Sequence, residues 1–132
     1  MNGETDITLL LKNMTPKLNE GEYVFCVVSS LSNIDLAEVL GLFSEEEGTT
    51  IILKKETADS LNLSYTYVAA WITLTVHSSL EAVGLTAAFS SALAKHLISC
   101  NVIAAYYHDH IFVAEKDAEK AVSILKGLSS NL

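Results

Sequence analysis

The sequence contains no arginine: all eight basic residues are lysines, and 16 acidic residues bring the formal net charge to -8. Proteins that bind nucleic acids neutralise phosphates with clustered arginine and lysine, so this charge argues against a nucleic-acid partner. The missing guanidinium groups also exclude the bidentate clamp for carboxylates and phosphates. An anionic ligand group would therefore have to be bound by backbone N–H groups, hydroxyls or lysine.

Long apolar runs are also missing. The longest, residues 67–76, is interrupted by threonine and is far shorter than the roughly 20 residues that a membrane-spanning helix needs. The first ten residues lack the basic start and continuous apolar region of a secretory signal. Half of the residues are hydrophobic, which suits one compact domain or two small halves that share a sheet. We therefore expect a cytoplasmic protein without a membrane partner.

Cysteine is scarce, and motifs for cofactors are missing. Cys26 and Cys100 each lie in an apolar strand pattern, which favours two reduced, buried thiols over a disulfide or a metal pair. The sequence has no phosphate-binding loop of the Walker or Rossmann kind and no HExxH motif. We expect no cofactor and no metal.

In residues 71–113 the spacing of the apolar residues changes along the chain: they alternate as in a strand, then follow helical spacing, and then alternate again. This predicts a strand at 72–76, a glycine-bearing loop, a helix with an apolar stripe from Leu85 to Leu97, a strand at 100–105, a turn at 107–110 and a strand at 111–113. A last helix follows, and Gly127 is predicted to end it. The order is β-α-β-β-α.

The first half has a rougher pattern. We predict a short helix over 7–14 that stops at Thr15-Pro16, strands over 23–29 and 49–53, and a short helix over 56–63. Leu36, Val39, Leu40 and Phe43 have helical spacing and predict a further helix. Together the halves predict an α+β fold of two tandem ferredoxin-like units, βαββαβ, with antiparallel sheets and helices on one face. The predicted boundary separates residues 1–66 from 67–132.

The histidines suggest two further kinds of chemistry. His108 and His110 would project from one face of a strand, but zinc usually takes three or four protein ligands, so a polar hairpin tip is the better interpretation. His77 has no acidic residue placed to orient it as a base, and Ser78 lies in no nucleophile elbow. We expect no catalytic residues and a protein that is not an enzyme.

The stretch 83–89, followed by Leu93 and 97–103, resembles the helix and following strand of an ACT domain, most closely the regulatory ACT domains of aspartokinases. More broadly, residues 71–113 are similar to the second unit of stand-alone tandem ACT proteins of bacteria. The resemblance covers the C-terminal half well and the N-terminal half in outline. It implies a non-catalytic regulatory module that binds an amino acid at an interface between paired ACT units, often within a homodimer.

The resemblance also implies which residues surround the ligand. The loop and helix start would be formed by Val83, Gly84, Leu85 and Thr86, and the strand edge by Cys100, Asn101 and Val102. Separately from the resemblance, the position of His77 and Ser78 at the mouth of this loop makes them second-tier ligand contacts, and the alternative for His77 is a loop histidine that bonds the backbone. Free N–H groups at a helix start favour a carboxylate, and glycine permits close backbone approach. Aspartokinase domains commonly have an aspartate where this chain has Asn101, so the amide would hold the ligand's ammonium group more weakly.

Each of these assignments has a structural alternative. Gly84 is equally expected in a plain strand-to-helix turn, and the Asn101 amide could instead satisfy a neighbouring loop. The Leu85 side chain is expected in the core, beside the site. The alternative function is a ligand-independent module for dimerisation or protein interaction.

Overall fold

The computed structural model describes residues 6–75 and 83–130. Its helices are α1 (Ile7–Asn13), α2 (Lys55–Ser60), α3 (Leu85–Lys95) and α4 (Ala118–Ser130). Its strands are β1 (Pro16–Leu18), β2 (Tyr23–Val28), β3 (Val39–Ser44), β4 (Thr49–Lys54), β5 (Val68–Leu74), β6 (Asn101–Ala104) and β7 (Asp109–Ala114). Within the described ranges, no helix is both long enough and apolar enough to cross a membrane.

The larger of two compact units comprises residues 6–20, 70–75 and 83–130. Its strands lie in the order β1-β5-β7-β6. β1 pairs antiparallel with β5, with Pro16 opposite Leu74 and Leu18 opposite Ile72. Because β1 comes from the N-terminal segment, that segment supplies the strand that completes a ferredoxin-like unit formed by the C-terminal half.

One hydrophobic core holds the larger unit together. Alternate residues of β5 and β7 face three helices, since successive strand side chains point to opposite faces. The buried members are Leu10, Met14, Ala70, Ile72, Leu74, Leu85, Phe89, Leu93, Ile98, Ile111, Val113, Ala121 and Leu125. The helices α1, α3 and α4 therefore cover the same face of this sheet.

The smaller unit comprises residues 21–69, and its strands lie in the order β3-β4-β2, followed by the first residues of β5. β2 and β4 pair antiparallel along their whole length, from Tyr23 opposite Lys54 to Val28 opposite Thr49. Its core consists of Val24, Cys26, Val28, Ile51, Leu53 and Ala58. The predicted α+β class, with ferredoxin-like units and antiparallel sheets, is confirmed.

The predicted helix through Leu36, Val39, Leu40 and Phe43 is wrong. Asp35 caps a single 3-10 turn, Leu36–Glu38, and the chain then enters β3. The run from Val39 to Phe43 satisfies helical spacing but is also rich in strand-forming residues, and pairing with β4 decides between the two. The smaller unit consequently has a turn where the predicted βαββαβ order has its first helix.

Helix ends also differ from the predictions. α4 continues through Gly127 to Ser130 because Leu128 packs against the core, which offsets the cost of about 1 kcal/mol for a helical glycine. α3 ends earlier than predicted: Leu97 has φ +60° and is 92% exposed, so it does not belong to the buried stripe. The Ile98 N–H donates to the Leu93 carbonyl at 3.1 Å and closes the helix.

Candidate ligand-binding site

The start of α3 is the first part of the candidate site. Gly84 is the N-cap residue and provides no side-chain cap, and the Ala88 N–H donates to the Gly84 carbonyl at 2.9 Å. The N–H groups of the turn before Ala88 therefore have no acceptor inside the helix. Val83 is 84% exposed and Thr86 is also exposed. This helix start is open to solvent and favours a negatively charged group.

Gly84 has a structural reason to be glycine whether or not a ligand binds. Its φ is +96°, a conformation that other residues rarely adopt. A Cβ atom there would lie 3.9 Å from Cγ1 of Ile7, which is ordinary van der Waals contact. The left-handed backbone, rather than lack of space, therefore requires the glycine.

Three of the predicted site residues direct their side chains into the core. Leu85 is 3% exposed, and Cys100 and Val102 pack against the same core. Burial raises the pKa of the Cys100 thiol to about 11, so the thiol stays neutral at physiological pH. These residues can offer a ligand only their backbone groups. For Cys100 and Val102 that backbone lies at or beside β6, which is at the edge of the sheet.

Asn101 lies on the other face of β6. Its Nδ2 donates to the carbonyl oxygen of Phe112, its cross-strand partner, at 3.3 Å. The amide thus satisfies a backbone group of the neighbouring strand β7, rather than a loop. The same bond orients the amide so that Oδ1 remains as an acceptor, which is the role that an ammonium group requires of it.

The two remaining predicted site residues, His77 and Ser78, lie outside the described residues. His96 is exposed, and its Nδ1 lies 3.0 Å from the Ala92 carbonyl, so its ring caps the end of α3. Within the described ranges, no three histidine, cysteine or acidic side chains are grouped as a metal ion would need.

The cysteines do not have the environment of an enzymatic nucleophile. Both are free thiols, as predicted, and Cys26 is buried. Burial, followed by the charge of Asp59, raises the pKa of Cys26. A nucleophilic cysteine needs a lowered pKa, so these environments act in the opposite direction.

Sequence reasoning missed the part of α1 that lies beside the candidate site. Ile7 packs against the larger unit's core and approaches Gly84. Leu10 of the same helix is 1% exposed in that core. The helical spacing from Ile7 to Met14 predicts the helix correctly, but it carries no information on the partner that the helix covers.

The order of strands and helices in the two units defines the class of protein: an α+β chain with ferredoxin-like units in tandem. Sequence comparison gives the same class. A family model described as ACT domain matches residues 2–70, and a second model with this description matches residues 67–127. The chain belongs to the ACT-domain family. No curated protein matches it.

Solved structures with the same fold include one with clear sequence similarity. A Vibrio cholerae protein of unknown function, described as a possible transport protein, is 46% identical, with a TM-score of 0.84 over 95% of this chain and 97% of that chain. The ligand-free regulatory subunit of aspartate kinase from Thermus thermophilus is 9% identical, with a TM-score of 0.64 over 89% of this chain and 97% of that chain. A structure of the aspartokinase alpha and beta subunits is 14% identical, with a TM-score of 0.61 over 89% of this chain and 98% of that chain.

Proposed function

We propose that this protein is a non-catalytic regulatory protein that binds a small amino acid between ACT units, at the start of α3 of one unit and the edge of β6 of another. The observation that carries the proposal is the tandem pair of ACT-domain matches, which together extend over residues 2–127. The similarity in fold to a regulatory subunit of an aspartate kinase, over nearly all of that chain, supports a regulatory role. The ligand would act by stabilising one packing of the protein, to an extent limited by its differential affinity for the two states.

Two different groups of the protein would bind the two charged ends of the amino acid. The ligand's carboxylate would be bound by the N–H groups of the first turn of α3, since a helix start attracts anions without arginine. The ligand's ammonium group would donate to Oδ1 of Asn101 in a second copy of the chain, which Nδ2 leaves available by bonding to Phe112. Within one chain the two groups lie too far apart, because Asn101 follows the C-terminal end of α3 and lies on the face of β6 away from that helix. The exposed Val83 and Thr86 would lie at the rim of this site.

A thermal-unfolding screen of the proteinogenic amino acids at millimolar concentration tests the proposal. A ligand that binds only the folded state stabilises it by mass action, by about 2.7 kcal/mol at one hundred times its Kd. At least one amino acid should raise Tm in a concentration-dependent manner, and the same compound should give a saturable calorimetric isotherm. A folded protein whose Tm responds to none of them would refute amino-acid binding and favour the interaction module.

Substituting Asn101 should change the ligand's affinity in a predictable direction. In Asn101→Asp the side chain loses its bond to Phe112, but either carboxylate oxygen can accept from the ammonium group. The substitution should tighten Kd about fivefold, because a charge-assisted hydrogen bond is roughly 1 kcal/mol stronger than a neutral one. Asn101→Ala should weaken it by a similar factor. The matched control is Asn13→Asp, which introduces the same charge at an exposed position of α1. Calorimetry in which the Asn13 and Asn101 variants behave alike would contradict the role of Asn101.

A second function, dimerisation through the smaller unit, is favoured by its exposed edge strand. β3 lies at the end of the strand order, and its Leu42 and Phe43 are 43% and 72% exposed. Exposed apolar edge strands invite pairing with another chain. We propose a homodimer in which β3 meets its counterpart in a second copy.

Size-exclusion chromatography with light scattering tests this dimer. The unmodified protein should have the mass of two chains, and Phe43→Lys should shift it towards one, because a charged edge residue opposes strand pairing. Leu97→Lys is the control, since Leu97 is an exposed leucine in the larger unit. A monomeric unmodified protein, or dimers of equal stability in both variants, would exclude this interface.

A further inference from the structure

A connected set of polar side chains lies on the face of the larger unit's sheet away from the helices. Trp71 Nε1 lies 3.0 Å from Nδ1 of His110, and the Thr73 hydroxyl oxygen lies 3.1 Å from the same nitrogen. Asn19 Nδ2 donates to Thr73 Oγ1 at 2.9 Å and to the Trp71 carbonyl at 3.2 Å. These contacts join the end of β1 to β5 and β7.

The donors around His110 determine where its ring carries a proton. An indole N–H can only donate, so the Nδ1 atom that it faces must present a lone pair. Thr73 accepts from Asn19, which leaves the threonine's own proton directed at the same Nδ1. The ring is therefore neutral and carries its proton on Nε2.

Protonation of His110 is incompatible with one of these contacts and compatible with the other. In the imidazolium form both nitrogens are donors, so Nδ1–H would face the Trp71 N–H, donor against donor. Nδ1–H could still donate to Thr73 Oγ1. Protonation therefore breaks the Trp71 contact and leaves the Thr73 contact in place.

We propose that Trp71 and His110 form a proton-sensitive latch, closed while the imidazole is neutral and opened when the ring takes up a proton. Trp71 also stacks on Phe112, with ring centroids 6.5 Å apart and planes 17° apart. Opening the latch would therefore alter the packing of an aromatic cluster on this face. Opening and closing of the latch require no bound amino acid.

The charged groups around the ring favour the closed latch. His108 lies two residues before His110, next to the start of β7, and Lys17 lies opposite Thr73 on β1. Ile103, opposite His110 on β6, carries no charge, and Asp109 points to the other face of the sheet. Burial, and then the charge of His108, lower the pKa of His110 below its ordinary 6.5.

Fluorescence of the single tryptophan tests the latch directly. Between pH 8 and pH 5, emission from Trp71 should change with one midpoint below 6.5, while far-UV circular dichroism stays constant. His110→Asn, which places an amide oxygen near the position of Nδ1 but cannot titrate, should give a flat profile. In His108→Asn the transition should persist and move to higher pH.

An NMR titration of the unmodified protein provides a readout that does not depend on any variant folding. The Trp71 indole N–H resonance and the His110 ring resonance should titrate with the same midpoint. An indole resonance that does not move while His110 titrates would overturn the proposal. So would a His110→Asn protein with the same fluorescence transition as the unmodified chain.

Discussion

Phe89→Ala should lower the free energy of unfolding by about 3–5 kcal/mol, which is the usual cost of deleting a buried phenylalanine ring. Phe89 is completely buried at the centre of the larger unit, where α3 meets the sheet. The substitution removes the contacts of the ring and leaves a cavity that surrounding elements fill only in part. Urea denaturation monitored by far-UV circular dichroism measures the change.

The control for this prediction is Tyr106→Ala. Tyr106 is 61% exposed and contacts Tyr107 edge-on, with ring centroids 5.0 Å apart. Its replacement should cost no more than about 1.5 kcal/mol, the upper value for an aromatic pair. Equal losses in the two variants would show that Phe89 is not in a packed core and that α3 is not held as described.

Leu10→Ala should lower the free energy of unfolding by about 2–5 kcal/mol. Leu10 lies in the N-terminal helix but is 1% exposed, because α1 packs into a core that is formed mainly by the C-terminal half. The neighbouring Leu9 is 45% exposed. Leu9→Ala makes the same chemical change in the same helix and should cost less than about 1 kcal/mol.

This pair of variants tests where the N-terminal segment belongs. If α1 and β1 complete the larger unit, Leu10→Ala should destabilise that unit while Leu9→Ala should not. Hydrogen exchange can locate the loss, since amides of β5 and β7 should lose protection in the Leu10 variant. A Leu10 variant as stable as the Leu9 variant would contradict the placement of α1.

The hydrophobic pattern predicts the larger unit well because its strands and helices have clearly different periods, two residues in a strand and 3.6 in a helix. The alternation of Ile72 and Leu74 with threonine marks a strand with one buried face, and the stripe through Leu85, Phe89 and Leu93 marks a helix. These residues are buried as the pattern predicts. The region 36–43 was mispredicted because its spacing fits a helix while its composition and its pairing with β4 favour a strand.

Contacts between residues far apart in sequence could not be predicted in the same way. Pro16–Leu18 is too short to give a strand signal, and its pairing with β5 depends on the folded chain. The hydrogen bond between Trp71 and His110 joins residues 39 positions apart. For the candidate site, the glycine loop and Asn101 were inferred from the resemblance, whereas the approach of Ile7 to Gly84 arises from packing.

Two-dimensional ¹⁵N–¹H NMR can locate a bound amino acid at the start of α3 and the edge of β6. The titrant is whichever amino acid gives the largest rise in Tm. Binding at this site should give saturable shifts in the backbone amides of Gly84, Leu85 and Thr86, together with the side-chain amide of Asn101. Saturable shifts confined to other residues, with these four signals unchanged, would contradict it.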